Sequence, residues 1–173
     1  MIFISIKPYL TMKYFILILF FLGIYQTGTS QNAEEYFSYL EGLENSGQHS
    51  QAEYLRGLYK NLVPTMYFDD GELKTYGPPY PQRLLTNNRY VYLGEKAIVS
   101  NYDMSNVEII IIKYDEGENI QQLLLDPAFV QSLTALKYIV FVTSYNAQIS
   151  KFDEIIPQIP ANVKRLVRIS IEE

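Results

Sequence analysis

An α/β fold ending in a parallel sheet is the architecture this sequence predicts, and three observations carry it. Aliphatic runs recur at Val107–Ile112, Leu136–Val142 and Val163–Ile171, aligned at offsets of 29 and 27 residues. Between them lie helix signals long enough for a crossover, and strand, helical crossover, strand at that length is a parallel arrangement. Ahead of them stand two segments of helical period, each opened by a capping pattern.

The chain begins with a different kind of segment. Met12-Lys13 is followed by an apolar run from Tyr14 to Tyr25 and then by Gln26-Thr27-Gly28-Thr29-Ser30. One cation, about a dozen apolar residues and small residues at Gly28 and Ser30 describe a secretory signal peptide cleaved before Gln31. The run is shorter than the ~20 apolar residues that span a bilayer, so no stable membrane anchor is expected after cleavage. Met1-Ile2-Phe3-Ile4, with Lys7 and Pro8, forms a second apolar start ahead of Met12. The expectation is an exported protein, periplasmic or extracellular. Residues 31–173 then remain, a length suited to one domain.

Composition narrows the function classes. The chain has no Cys, which removes disulfides and thiolate metal sites, and a single His, His49. Lys7 and Lys13 leave with the signal segment, so 12 cations face 19 acids, a mature balance of −7. Nucleic acid is excluded as a partner on this charge, because its binding needs a basic patch that displaces counterions.

Residues 31–64 read as a helical hairpin. Asn32 with Glu35 three residues on, then Tyr36, Phe37, Leu40 and Leu43, makes a capped amphipathic helix ending at Ser46-Gly47. Ser50-Gln51-Ala52-Glu53 is a second capping box, followed by the stripe Leu55, Leu58, Tyr59, Leu62 before Pro64. Residues 65–100 read as short β-hairpins. Met66 to Tyr76 has Asp70-Gly71 at its centre, the pair that best tolerates the positive φ of a tight turn. Gly77-Pro78-Pro79-Tyr80-Pro81 is an extended connector, and Arg89 to Val99 reads as a second pair of short strands.

Residues 101–173 hold the repeat. Helix signals fall at Asn119 to Leu125, at Asp126-Pro127 before Ala128 to Leu133, and at Ser150-Lys151-Phe152-Asp153 before Pro157. Phe129-x-x-Ser132-Leu133-x-x-Leu136-x-x-Ile139-x-Phe141, with Val107-x-x-Ile110-x-Ile112 one repeat earlier, resembles the spaced aliphatics of leucine-rich repeats, and the period is similar. That resemblance covers residues 106–171 and implies stacked strand and helix units.

Which face is buried is also legible. Ile109, Ile111, Val140 and Val142 are as apolar as their neighbours Ile110, Ile112, Ile139 and Phe141, as in a sheet covered on both sides. Val163 to Ile171 alternates, with Leu166, Arg168 and Ser170 on its more polar face, which places that strand near an edge. Sequential strand order puts both crossover helices on one side. The N-terminal helical hairpin is the cover left for the other.

Motifs of reaction chemistry are missing: the sequence has no Gly-x-Ser-x-Gly, no phosphate-binding Gly loop and no His-Glu-x-x-His. Asp115, Glu116 and Glu118 follow a strand end, where ligands of open α/β sheets bind, and Ser144, Tyr145 and Asn146 follow the next one. These six residues form the candidate ligand or partner site. The spacing of the acids does not follow a calcium loop, so neither a metal nor a cofactor is expected. Sixteen tyrosines, many of them in residues 65–102, are a compositional excess that suits recognition. The reading is a non-enzymatic exported protein that binds a protein or a cell-envelope component. A small envelope enzyme using carboxylates and tyrosines at the strand ends, and a structural accessory subunit, are the alternatives.

Overall fold

The computed structural model describes residues 32–69, 72–78, 80–86, 102–114, 127–155 and 159–170. Its strands are β1 (Glu34–Glu35), β2 (Thr65–Asp69), β3 (Glu72–Tyr76), β4 (Arg83–Thr86), β5 (Ile109–Tyr114), β6 (Tyr138–Thr143) and β7 (Lys164–Ile169). The helices among these residues are α1 (Tyr36–Asn45), α2 (His49–Lys60), α3 (Pro127–Ser132) and α4 (Lys151–Ile155). All seven strands form one sheet, in the order β1-β7-β6-β5-β4-β2-β3. Every pairing is parallel except β2 with β3, a hairpin in which Asp69 lies opposite Glu72.

Both faces of the sheet are covered, as the continuous aliphatic strands require. Ile109, Ile111, Tyr138, Val140 and Leu166 pack with Tyr36, Leu40, Leu43, Ala52, Leu55 and Leu58 of the α1–α2 hairpin. Ile110, Ile112, Ile139, Phe141 and Val167 pack on the other face with Val130 of α3 and Phe152 and Ile155 of α4. The crossover helices therefore share one face, as sequential order demands. Strand β7 is second from the edge, closed only by the two-residue β1.

Several local expectations are corrected. The first helix begins at Tyr36 rather than after Asn32, because Glu34 and Glu35 pair in parallel with Leu166 and Val167. Glu35 becomes the cap, its carboxylate accepting from the Ser38 amide at 2.6 Å. The Ser50–Glu53 capping box does not form: α2 starts at His49, Gln48 caps it without a side-chain bond, and Glu53 pairs with Arg56 at 3.1 Å instead. Helix α2 ends at Lys60, so Leu62 leaves the expected stripe and is fully exposed, as Phe37 is half-exposed on α1. Gly47, at φ 77°, ends α1 where expected.

Strand β4 is not foreseen by propensity. Arg83-Leu84-Leu85-Thr86 is short and its leucines are not β-branched, yet it pairs in parallel with both β2 and β5 and joins the hairpin to the repeat. The signal segment, the Arg89 to Val99 strands and the Asn119 to Leu125 helix lie outside the described residues.

Candidate functional site

The carboxyl ends of β5 and β6 carry the residues singled out from sequence. Asp115, Glu116 and Glu118 lie outside the described residues. Ser144 and Asn146 are exposed, while Tyr145 is half-buried and packs on the α3–α4 side of the core. Its ring meets that of Tyr114 at 5.8 Å, so the ends of β5 and β6 do adjoin. The Tyr145 amide donates to Thr143 Oγ1 at 3.3 Å, a local turn that holds 144–146 at the strand end. Of the six, the described three form a polar rim resting on an aromatic base.

At the amino ends the sheet register itself assembles a second group. Backbone bonds carry the ladder to the amino ends of β5, β6 and β7: Glu108 N–H donates to Gln82 O at 2.8 Å, Lys137 N–H to Glu108 O at 2.9 Å and Lys164 N–H to Lys137 O at 2.8 Å. Gln82, Glu108 and Lys137 are thus set side by side, with Lys164 one step on, opposite Tyr138. Lys137 Nζ donates to Glu108 Oε2 at 2.5 Å and to Tyr54 Oη at 3.1 Å, and sits 4.6 Å from the Tyr54 ring centre. The Tyr54 hydroxyl also donates to Glu108 Oε2, and Gln82 Nε2 reaches Oε1 at 3.4 Å. Burial pushes the Glu108 carboxyl up, but the donors Lys137, Tyr54 and Gln82 and the Lys137 charge outweigh it and hold it below its ordinary value. Hydrogen bonding to Glu108, first, and to Tyr54 raises the Lys137 ammonium. Beside this group Lys164 pairs with Glu34 at 2.7 Å and lies over the Tyr39 ring.

Arg83 on β4 and Arg165 on β7 are spent on structure. Arg83 donates to the carbonyls of Leu58, Tyr59 and Asn61 at the end of α2, at 3.3, 2.9 and 3.4 Å, where a cation complements the helix dipole. Arg165, 1% exposed, binds Asp153 O at 2.8 Å and Asp153 Oδ1 at 3.3 Å. Asp153 Oδ1 also accepts from the Ala33 amide at 2.6 Å, tying the start of β1 to α4. Arg168 lies over the rings of Phe37 and Tyr59, at 5.5 and 4.9 Å. Beside it a crevice of about 180 Å³ is lined by Tyr36, Phe37, Leu40, Glu41, Glu44, Arg56 and Lys60. Glu44 and Arg56 pair across it at 2.5 Å. Burial pushes the Tyr36 hydroxyl up to about 12, and it has no hydrogen-bond partner among the described residues.

A third feature is apolar. Leu62, Tyr76 and Tyr80 stand exposed, the two tyrosines by 61% and 56%. The connections that carry them are joined. Pro64 O accepts from the Gln82 and Arg83 amides at 2.9 and 3.1 Å, and a Cβ at Gly77, whose φ is 94°, would lie 3.4 Å from the Pro64 α carbon. The corner where β3 ends therefore presents aromatic and aliphatic side chains to solvent. The tyrosine excess of residues 65–102 includes Tyr76 and Tyr80, whereas Leu62 is hidden in the sequence by its helical spacing.

Among the described residues no cluster of three or more His, Asp or Glu side chains could hold a metal ion, and no helix is long and apolar enough to cross a membrane. Compared with protein families, characterised proteins and solved structures, the chain matches none of them.

Proposed function

We propose that this is an exported, non-enzymatic binding protein whose partner is a protein or a cell-envelope component. The observation that carries the reading is the exposed Leu62, Tyr76 and Tyr80 beside a sheet whose middle strands β5 and β6 are covered on both faces. Large aromatic side chains offer contact area at low rotamer entropy and are enriched where proteins meet. The carboxylate and tyrosine chemistry of the amino-end group supports binding over catalysis. Glu108 accepts from three donors and its side chain is only 15% exposed, so it is held in place rather than offered to a substrate. Export rests on the signal-peptide pattern of residues 12–30, and mass spectrometry of the secreted product should find Gln31 at its N-terminus.

The binding reading is tested by photo-crosslinking in the cells that make the protein. A photoreactive residue is placed singly at Tyr80, Phe37 and Ser144, and the exported protein is irradiated in place. A discrete adduct of reproducible mass at Tyr80 is expected. Absence of any adduct at all three positions would overturn the reading.

A further inference from the structure

We propose that Arg168, at the carboxyl end of β7, is a carboxylate-binding site for an acidic saccharide, a uronate whose carboxylate pairs with the guanidinium while its ring lies on Phe37. This deepens the binding reading above and rests on its envelope-component arm. The other described arginines are occupied: Arg56 pairs with Glu44 and Glu53, Arg83 holds carbonyls at the end of α2, and Arg165 binds Asp153. Arg168 alone has neither a hydrogen bond nor an ion pair among the described residues.

What holds Arg168 is aromatic. Its guanidinium carbon lies 5.5 Å from the Phe37 ring centre and 4.9 Å from that of Tyr59, so α1 and α2 position the group without occupying its donors. Nε is enclosed and has no partner, while the side chain as a whole is only half-buried. The fork presented outward is therefore Nη1 with Nη2. Such a planar pair of donors matches the two oxygens of a carboxylate. A guanidinium already held in place gives up less freedom on pairing, which is preorganisation for a ligand.

The sheet adds a favourable field. Parallel register sets Lys113, Val142 and Arg168 in one row, each the last residue but one of its strand. The row lies on the face that the α1–α2 hairpin covers, at the carboxyl end where ligands of open α/β sheets bind. Lys113 is exposed and has no hydrogen bond or ion pair among the described residues. The chain carries a formal net charge of −5, yet this end of that face presents two unpaired cations.

The surroundings select the body that bears the carboxylate. Phe37 is 50% exposed and is shared, since Arg168 lies over it and it also lines the crevice of about 180 Å³ between α1 and α2. Glu41 and Lys60 line the same crevice, both exposed and neither paired among the described residues. An apolar peptide side chain seated there would desolvate the two charges without satisfying them. Sugar hydroxyls both donate and accept, so they suit Glu41 and Lys60 together, and the C–H face of the ring finds apolar area on Phe37.

The test is calorimetric titration of the protein with trimers of galacturonate, glucuronate and mannuronate, with their methyl esters, with inorganic phosphate, and with a tetrapeptide bearing a free C-terminus. At least one uronate trimer is expected to bind saturably. Arg168→Gln should weaken it about tenfold or more, the loss of a charge-assisted hydrogen-bonded pair, and Phe37→Ala should weaken it as well. If Arg168→Gln disturbs the packing of α1 and α2, the methyl ester on the unaltered protein gives the same comparison. It keeps ring and hydroxyls, loses the charge, and should bind about tenfold or more weakly. Equal affinity for acid and ester, binding by none of the three uronates, or phosphate or the tetrapeptide binding as tightly as the best uronate would overturn the proposal. Photo-crosslinked adducts at Tyr80 or Ser144 in the face of such a failure would leave the binding reading standing and remove only its assignment to Arg168.

Discussion

Glu108 and Tyr36 are both enclosed polar side chains, and their surroundings give them opposite consequences for stability. Glu108 is satisfied: its carboxyl is held below the ordinary value of 4.5 by hydrogen bonds that outweigh burial. Its ionised form is therefore favoured in the folded protein, and the stability it confers is complete above the unfolded carboxylate range and lost as pH falls through the folded value. Glu108→Gln should cost about 1–2 kcal/mol at pH 7, measured by urea unfolding, and the gap to the parent should shrink by pH 3. An equal gap at both pH values would contradict the ion-pair role. Tyr36 is unsatisfied, its buried hydroxyl having no partner among the described residues. Tyr36→Phe removes a desolvated group and leaves the ring contacts with Phe37 and Tyr59 at 5.3 and 5.1 Å. It should be neutral or stabilising by up to about 1 kcal/mol; a loss of stability would show that the hydroxyl is bonded. None of this was legible residue by residue. Gln82, Glu108 and Lys137 are 26 and 29 positions apart along the chain and meet only through parallel register, with Tyr54 arriving from a helix. The same holds for Arg165, buried against Asp153 of α4 twelve positions away.

Elements were more legible than sites, for a physical reason. In β5 and β6 both parities are aliphatic, and only a sheet covered on two faces buries both. Val140, fully buried against the α1–α2 hairpin, is the position where that cover is tested. Val140→Asp places a carboxylate where it is neither hydrated nor paired, at a cost of several kcal/mol. A thermal midpoint within a degree or two of the parent would contradict the covered sheet. Helix ends were less legible, because tertiary pairing decides them: β1 takes the residues expected to open α1, and α2 starts ahead of its apparent capping box. The Gly77 turn is set by backbone alone. Gly77→Ala introduces a side chain at φ 94°, 3.4 Å from the Pro64 α carbon, and should destabilise the protein by about 1–2 kcal/mol. Calorimetry that finds the variant as stable as the parent would show that the corner is not locked there.

At the scale of the whole molecule, one mostly parallel sheet links an N-terminal helical hairpin, a β-hairpin and two crossover units. The parallel repeat and its cover could be read from aliphatic spacing. The joining strand β4 could not, since its four residues carry no β-branched run and its pairing on both sides comes from β2 and β5. That β3 is the last strand in the order could not be read either, because strand order is set by contacts far apart in sequence. The middle of that sheet is its most buried part, and β3 has no second strand partner among the described residues. Amide hydrogen exchange resolved by residue, on the free protein near pH 7, is the most direct test of a sheet covered on both faces at β5 and β6 and ending at β3. The slowest exchange is expected in β5 and β6, with the Leu73 and Thr75 amides exchanging ~100-fold or more faster than those strands. Protection of Leu73 and Thr75 equal to that of β5 and β6 would contradict a sheet whose core is its middle strands and whose last strand is β3.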